Sequence, residues 1–166
     1  MQKEDLIDLI QKVGFFKDMP ADQSRKIIEM GKIKRYGKGD IVLKEGEISS
    51  KIYFLLKGGF MVSSEGNVLF YETRYGEFFG EIAAIDSQPR SAFVRANQEN
   101  SYFFILDIND IFNKESPLSD GEKFYLKICR TFAERLRAND QKITNLSKEI
   151  NKRKKAPEKF TFEGGL

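Results

Sequence analysis

Between Ile33 and Leu106 the apolar residues come in short runs of three to five, Ile41 to Leu43, Ile52 to Leu56, Phe60 to Val62, Val68 to Tyr71 and Tyr102 to Leu106. Glycines fall between or beside them at Gly37, Gly39, Gly46, Gly58, Gly59, Gly66 and Gly76. Runs this short, rich in β-branched and aromatic residues and broken by turn formers every ~8–12 residues, read as strands of a sandwich or barrel and cannot make a bundle of helices. The middle of the chain is therefore expected to close as a β structure around its own core.

The flanks have a different period. Leu6, Leu9, Ile10 and Val13 lie at helical intervals over residues 4–13, and a second amphipathic stretch from about Asp22 to Met30 carries Ile27, Ile28 and Met30. After Leu106 the helical pattern returns, with a start at Leu118 to Asp120 and neither Gly nor Pro from Glu122 to Ala156. Within it Tyr125, Cys129, Phe132, Leu136, Asn139, Ile143, Leu146 and Ile150 alternate spacings of four and three, which is a heptad seam. The first half of that helix can pack on the barrel. Beyond Leu136 the flanks are so polar that a second copy of the same helix is the natural cover, so a homodimer is expected, with Asn139 setting register at some cost in stability. Residues 1–136 are read as the globular domain and 137–166 as the extension of this helix with a flexible basic tail. Lys152, Arg153, Lys154 and Lys155 read as a solvated helix end whose cations suit the dipole, in preference to a nucleic-acid contact.

Composition narrows the chemistry. At 166 residues and 40% hydrophobic the chain can bury one substantial core. With 28 basic and 25 acidic side chains the formal net charge is +3, so any anion site must be local. There is no histidine, and Cys129 is the lone cysteine. The commonest metal ligand and the commonest general base are both missing, so no metal and no enzymatic activity are expected. Lys3, Glu4, Asp5 and Asp8 interrupt the N-terminal apolar residues, and no uncharged apolar run approaches the ~20 residues of a membrane span. The expectation is a soluble, cytoplasmic protein with no membrane contact.

The run with chemical content is FGEIAAIDSQPRSAFVRA, Phe79 to Ala96. Gly80 lets the backbone turn sharply into a short helix, Glu81 to Ile85, whose first N–H groups are free for an anion. Arg90 follows, between Pro89 and the small residues Ser91 and Ala92, and its guanidinium can meet two phosphate oxygens at once. Glu81, at the helix start, can accept from a hydroxyl. A ligand with a phosphate beside a sugar hydroxyl would satisfy both; taken as isolated residues, Glu81 and Arg90 more often simply pair with each other.

The same run resembles the phosphate-binding cassette of the cyclic nucleotide-binding domain family, a Phe-Gly-Glu followed by aliphatics, a short loop and Pro-Arg with small residues. Phe79, Gly80, Glu81, Ile82, Ala83, Pro89, Arg90, Ser91 and Ala92 match it, and the likeness extends from about Phe15 to Arg137 through the Phe15 to Pro20 entry, Gly39, the Lys44-Glu45-Gly46 turn, Tyr53 to Gly59 and Ile105 to Phe112. It implies an α+β, mainly β fold: an eight-stranded jelly roll, or β-roll, with N-terminal helices and a long C-terminal helix. It implies Glu81 on a ribose 2′-hydroxyl, Arg90 on a cyclic phosphate, and backbone or hydroxyl contacts from Gly80, Ile82, Ser91 and Ala92, with Phe79 and Ala83 completing the set. In this family a Thr after the cassette arginine favours cGMP; Ser91 stands there, which points to cAMP with cGMP second. The function so implied is a non-catalytic sensor signalling through its C-terminal helix to a protein partner, the alternative being a ligand-free roll with a structural role. The winged helix of the bacterial regulators in the family needs ~60 or more residues, and 16 follow Ile150, so no DNA binding by this chain alone is expected.

Overall fold

The computed structural model describes residues 8, 10–17, 19–112 and 118–155, with the side chains of 112, 118–123, 126 and 152–155 left aside. Leu6 and Leu9 of the first expected helix, and the tail from residue 156 onward, lie outside the described residues. The chain divides into two compact units, Met1–Gly121 and Glu122–Leu166.

In the first unit a four-residue helix α1 (Gly14–Lys17) and α2 (Ala21–Met30) precede β1 (Lys32–Tyr36), β2 (Ile41–Leu43), β3 (Lys51–Lys57), β4 (Phe60–Ser64), β5 (Asn67–Glu72) and β6 (Phe78–Phe79). A short helix α3 (Glu81–Asp86) interrupts the β region before β7 (Phe93–Ala96) and β8 (Ser101–Asp107), and α4 (Ile108–Phe112) follows. The eight strands form two four-stranded sheets, β1-β8-β3-β6 and β2-β7-β4-β5, in which every pairing is antiparallel. This is the expected mainly β roll.

The sheets face each other across one core. Tyr36, Tyr53, Leu55, Phe79, Phe103 and Ile105 come from the first sheet, and Val42, Leu43, Phe60, Val62, Val94 and Ala96 from the second. Period-two alternation sends these residues inward and their neighbours outward. On β3 the neighbours are apolar as well, and Ile52 to Leu56 are all buried. Phe54, on the outer face, meets Phe16 at 5.1 Å and Phe15 at 5.3 Å between ring centroids, and Phe16 also meets Phe104 of β8 at 6.0 Å. The N-terminal helices thus cap the back of the first sheet. That is why the middle strand reads as a continuous apolar run, since a strand buried on both faces has no polar side to show. Each fully buried ring contributes about 1.5–3 kcal/mol over its exposed state.

The sheet edges are handled unequally. β1 is exposed through Lys32, Lys34 and Arg35, while β6 and β2 are only two and three residues long; such charge and brevity discourage further pairing. β5 is an edge too, and its Val68, Leu69, Phe70 and Tyr71 are 49%, 58%, 51% and 63% exposed. The register between β4 and β5 shifts at Val62 and Ser63, a bulge that leaves Leu69 without a direct opposite.

α5 (Leu118–Lys155) runs unbroken for 38 residues, from Glu122 onward in the second unit, as the absence of Gly and Pro from Glu122 to Ala156 foretold. Of its seam, Leu136, Ile143, Leu146 and Ile150 are 63%, 61%, 58% and 53% exposed, and Asn139 is exposed with them. No helix among the described residues is long and apolar enough to cross a membrane.

Candidate functional site

The cassette residues converge where β6 leaves the first sheet. Phe79 pairs with Tyr53 across β6 and β3, its ring stacked on that of Tyr53 at 5.4 Å with 6° between the planes, and it also packs on Phe60 at 4.5 Å and edge-on to Phe103 at 5.6 Å. The next residue must turn out of the sheet and into α3. Gly80 does so at φ +85°, in the left-handed region where a side chain is strained. A Cβ there would also lie 2.9 Å from Arg90 Nη1 and 3.0 Å from the Lys51 carbonyl oxygen. Conformation and space both demand glycine.

α3 then exposes one side and buries the other. Glu81, Ala83 and Ala84 are buried, at 5%, 7% and 6%, whereas the Ile82 side chain is 58% exposed, which leaves only its backbone to serve the site. Gly80 caps the helix without any side-chain bond, and its carbonyl accepts from the Ala84 N–H at 3.3 Å. The helix is one residue longer than its apolar pattern indicated, ending at Asp86, with Ser87 in the left-handed region at φ 58°.

Arg90 is turned inward, with only 3% of its surface exposed. Its Nη1 donates to the Gly80 carbonyl and its Nη2 to the Lys51 carbonyl at 2.7 Å, so the fork ties the loop to both the turn before α3 and the start of β3. Nε is buried and has no hydrogen-bond partner among the described residues. Burial pulls the guanidinium below its ordinary value, and the nearby Tyr53, Glu47 and Glu81 work against that fall. The same burial pushes the Tyr53 phenol up to about 12. Backbone fixes the loop independently: Arg90 N–H donates to the Glu47 carbonyl at 2.9 Å, and Gly46 N–H donates to the Arg90 carbonyl at 2.8 Å. Ser91 is exposed beside it, and Ala92 packs partly buried against the inter-sheet core.

Arg90 thus meets Gly80 directly and lies near Glu81, Phe79 and Ala92 belong to or pack on the inter-sheet core, Ala83 is buried, and Ile82 and Ser91 are exposed. The open question of whether Arg90 spends its fork on a carboxylate has a specific answer for its terminal nitrogens, both of which face backbone carbonyls. Sequence reasoning missed Lys51 and Glu47, which act through backbone oxygens that no residue type announces. It also missed Tyr53, Glu45 and Ser64 as neighbours of the cassette. Among the described residues no group of three or more His, Cys, Asp or Glu is placed to hold a metal ion.

Comparison with known proteins agrees with this geometry. Residues 33–113 match the family model described as the cyclic nucleotide-binding domain. cGMP-dependent protein kinase 2 of Mus musculus is 32% identical over 129 residues, which is 75% of this chain and 17% of that protein. The cAMP-dependent protein kinase regulatory subunit of Debaryomyces hansenii is 30% identical over 89 residues, 54% of this chain and 20% of the relative. The chain therefore spans a fifth or less of these curated relatives. Among solved structures, one described as Sp-2Cl-cAMPS bound to PKAR CBD2 superimposes with a TM-score of 0.56 at 27% identity, covering 75% of this chain and 90% of that one. The catabolite activator protein of Thermus thermophilus shares the fold, with a TM-score of 0.64 at 19% identity over 80% of this chain and 62% of its own.

Replacing Gly80 by alanine strains the backbone and drives a methyl group into Arg90. Gly80→Ala is expected to lose about 1–3 kcal/mol of stability in denaturant unfolding. A variant as stable as the parent would mean that the left-handed turn and the close guanidinium do not constrain this position.

Proposed function

Residues 33–113 of this chain belong to the cyclic nucleotide-binding domain family, a regulatory binding module, and from that membership we propose that the roll binds cAMP and acts as a non-catalytic sensor. Arg90 takes the cyclic phosphate, Glu81 the ribose 2′-hydroxyl, and Gly80, Ile82, Ser91 and Ala92 add backbone or hydroxyl contacts, with Phe79 and Ala83 shaping the cassette around them. The observation that carries the reading is a guanidinium only 3% exposed whose Nε has no hydrogen-bond partner among the described residues. A buried cation bonded to neutral carbonyls favours an anion beside it, and each charge-assisted bond contributes about 1.5–3 kcal/mol.

Ser91, where the family's cGMP-selective pattern has Thr, favours cAMP, as does likeness to a regulatory domain bound to a cAMP analogue. The 32% identity to a cGMP-dependent protein kinase supports cGMP as the second reading. The absence of histidine and of a second cysteine from the sequence supports a role without catalysis. We assign residues 1–136 to the sensor and 137–166 to the extended helix and tail. Ligand binding shifts that helix by as much as its affinity differs between the two helix positions, and the shift is read by a cytoplasmic protein partner. Two copies associate through the seam, whose Leu136, Ile143, Leu146 and Ile150 are each more than half exposed in one chain.

Isothermal titration with cAMP is expected to give saturable binding, tighter than cGMP, and Arg90→Ala to weaken it by about tenfold or more. No heat and no thermal shift with either nucleotide at millimolar concentration would remove the reading; unchanged binding by Arg90→Ala would remove the phosphate role. Sedimentation of the whole chain is expected to report a dimer that Ile143→Glu dissociates. A dimer that persists in that variant would place the interface elsewhere.

A further inference from the structure

Next to the cassette lies a polar group that the phosphate and ribose roles do not use. β4 sends Phe60 and Val62 into the inter-sheet core, and alternation puts the strand's last residue, Ser64, on the same inward side. Its Oγ is 3.3 Å from Glu45 Oε1 and 3.3 Å from the Ser91 carbonyl oxygen. Glu45 belongs to the turn that is stitched to Arg90, since Gly46 N–H donates to the Arg90 carbonyl at 2.8 Å and the Glu47 carbonyl accepts from Arg90 N–H at 2.9 Å. The other carboxylate oxygen, Glu45 Oε2, is buried and has no hydrogen-bond partner among the described residues.

A buried carboxylate oxygen without a donor is costly, and what it lacks is an N–H or O–H. Serine cannot supply both of its neighbours, because one hydroxyl carries one proton. The carboxylate is placed from two sides: the turn fixes its backbone through Arg90, and the Ser64 hydroxyl lies 3.3 Å from its first oxygen. An acceptor one residue from Gly46, whose N–H bonds the Arg90 carbonyl, is suited to read a donor on a ligand whose phosphate Arg90 takes.

We propose that Glu45 is a specificity-determining residue that accepts a hydrogen bond from the exocyclic amine of a purine, with Ser64 positioning it. This rests on the cyclic-nucleotide reading above. It assigns to the β2–β3 turn a role in choosing the base, separate from the Glu81 and Arg90 roles, which touch only the sugar and the phosphate. A purine ring without an amine leaves the Glu45 oxygen without a donor, so such nucleotides bind more weakly to the parent protein.

The test compares matched ligands that differ by the amine alone: cAMP against purine riboside 3′,5′-cyclic monophosphate, and cGMP against cIMP. By titration calorimetry the parent is expected to prefer the amine-bearing member of one pair by about tenfold, and the pair identifies which amine is read. Glu45→Ala is expected to bring that ratio to within about twofold of unity while leaving the affinity for the amine-free member nearly unchanged. Ser64→Ala, which keeps the carboxylate but releases it, is expected to reduce the ratio part of the way; it also serves if Glu45→Ala does not fold. A preference that survives both substitutions, or a parent with no preference in either pair, overturns the role of Glu45 and leaves the cyclic-nucleotide reading intact. Failure of the parent to bind any of the four overturns both.

Discussion

Burying a guanidinium to 3% exposure is costly unless its N–H groups are satisfied and its charge is met, and at Arg90 the roll meets part of the first demand with the carbonyls of Gly80 and Lys51. Much of the local architecture follows from that arrangement. Lys51 opens β3 and Gly80 directly follows β6, two strands that pair directly, so the fork clamps the sheet edge at the point where the chain leaves it. Gly80 must lack a side chain because the guanidinium occupies the space where a Cβ would stand. The charge itself is met only partly by Glu47 and Glu81, and in the function we propose an anionic ligand at Nε completes the balance.

The rest of the roll supplies rigidity to that clamp. Tyr53 and Phe79 lie flat on each other immediately beside it, and the stack is continued by Phe60 and Phe103 into the core between the sheets. Behind the first sheet, Phe15 and Phe16 press on Phe54, so the strand that lends its carbonyl to Arg90 is held from both faces. Close packing of this kind resists small displacements, which lets a loop between α3 and β7 keep an arginine in place with its terminal nitrogens on backbone carbonyls.

The sequence was most legible where side-chain type and backbone need coincide. Five short apolar runs became β2, β3, β4, β5 and β8 with ends moved by a residue or two, and the long helix was plain from its lack of Gly and Pro beyond Gly121. Three strands escaped a reading by runs alone. β1 is largely charged, β6 is only two residues, and β7 lies within the stretch that drew attention for its chemistry. The four-residue helix that brings Phe15 and Phe16 onto the sheet is too short for any periodicity to reveal. At the site, Gly80, Glu81 and Arg90 were legible because a sharp turn, a carboxylate and a fork each require their own residue type. The carbonyls of Lys51 and Glu47 were not, because every residue has one. The exposed apolar edge of β5 was equally hidden, since a run such as Val68 to Tyr71 looks the same whether or not a neighbour covers it.

In the function we propose, the inward-facing arginine of this cassette is an anion receptor already in place. An experimental structure of the whole chain with cAMP tests it most directly. The expected result is Arg90 Nε and a terminal nitrogen within about 3 Å of phosphate oxygens, with the Glu81 carboxylate on the ribose 2′-hydroxyl. A nucleotide found elsewhere, with Arg90 still holding only the carbonyls of Gly80 and Lys51, would contradict it.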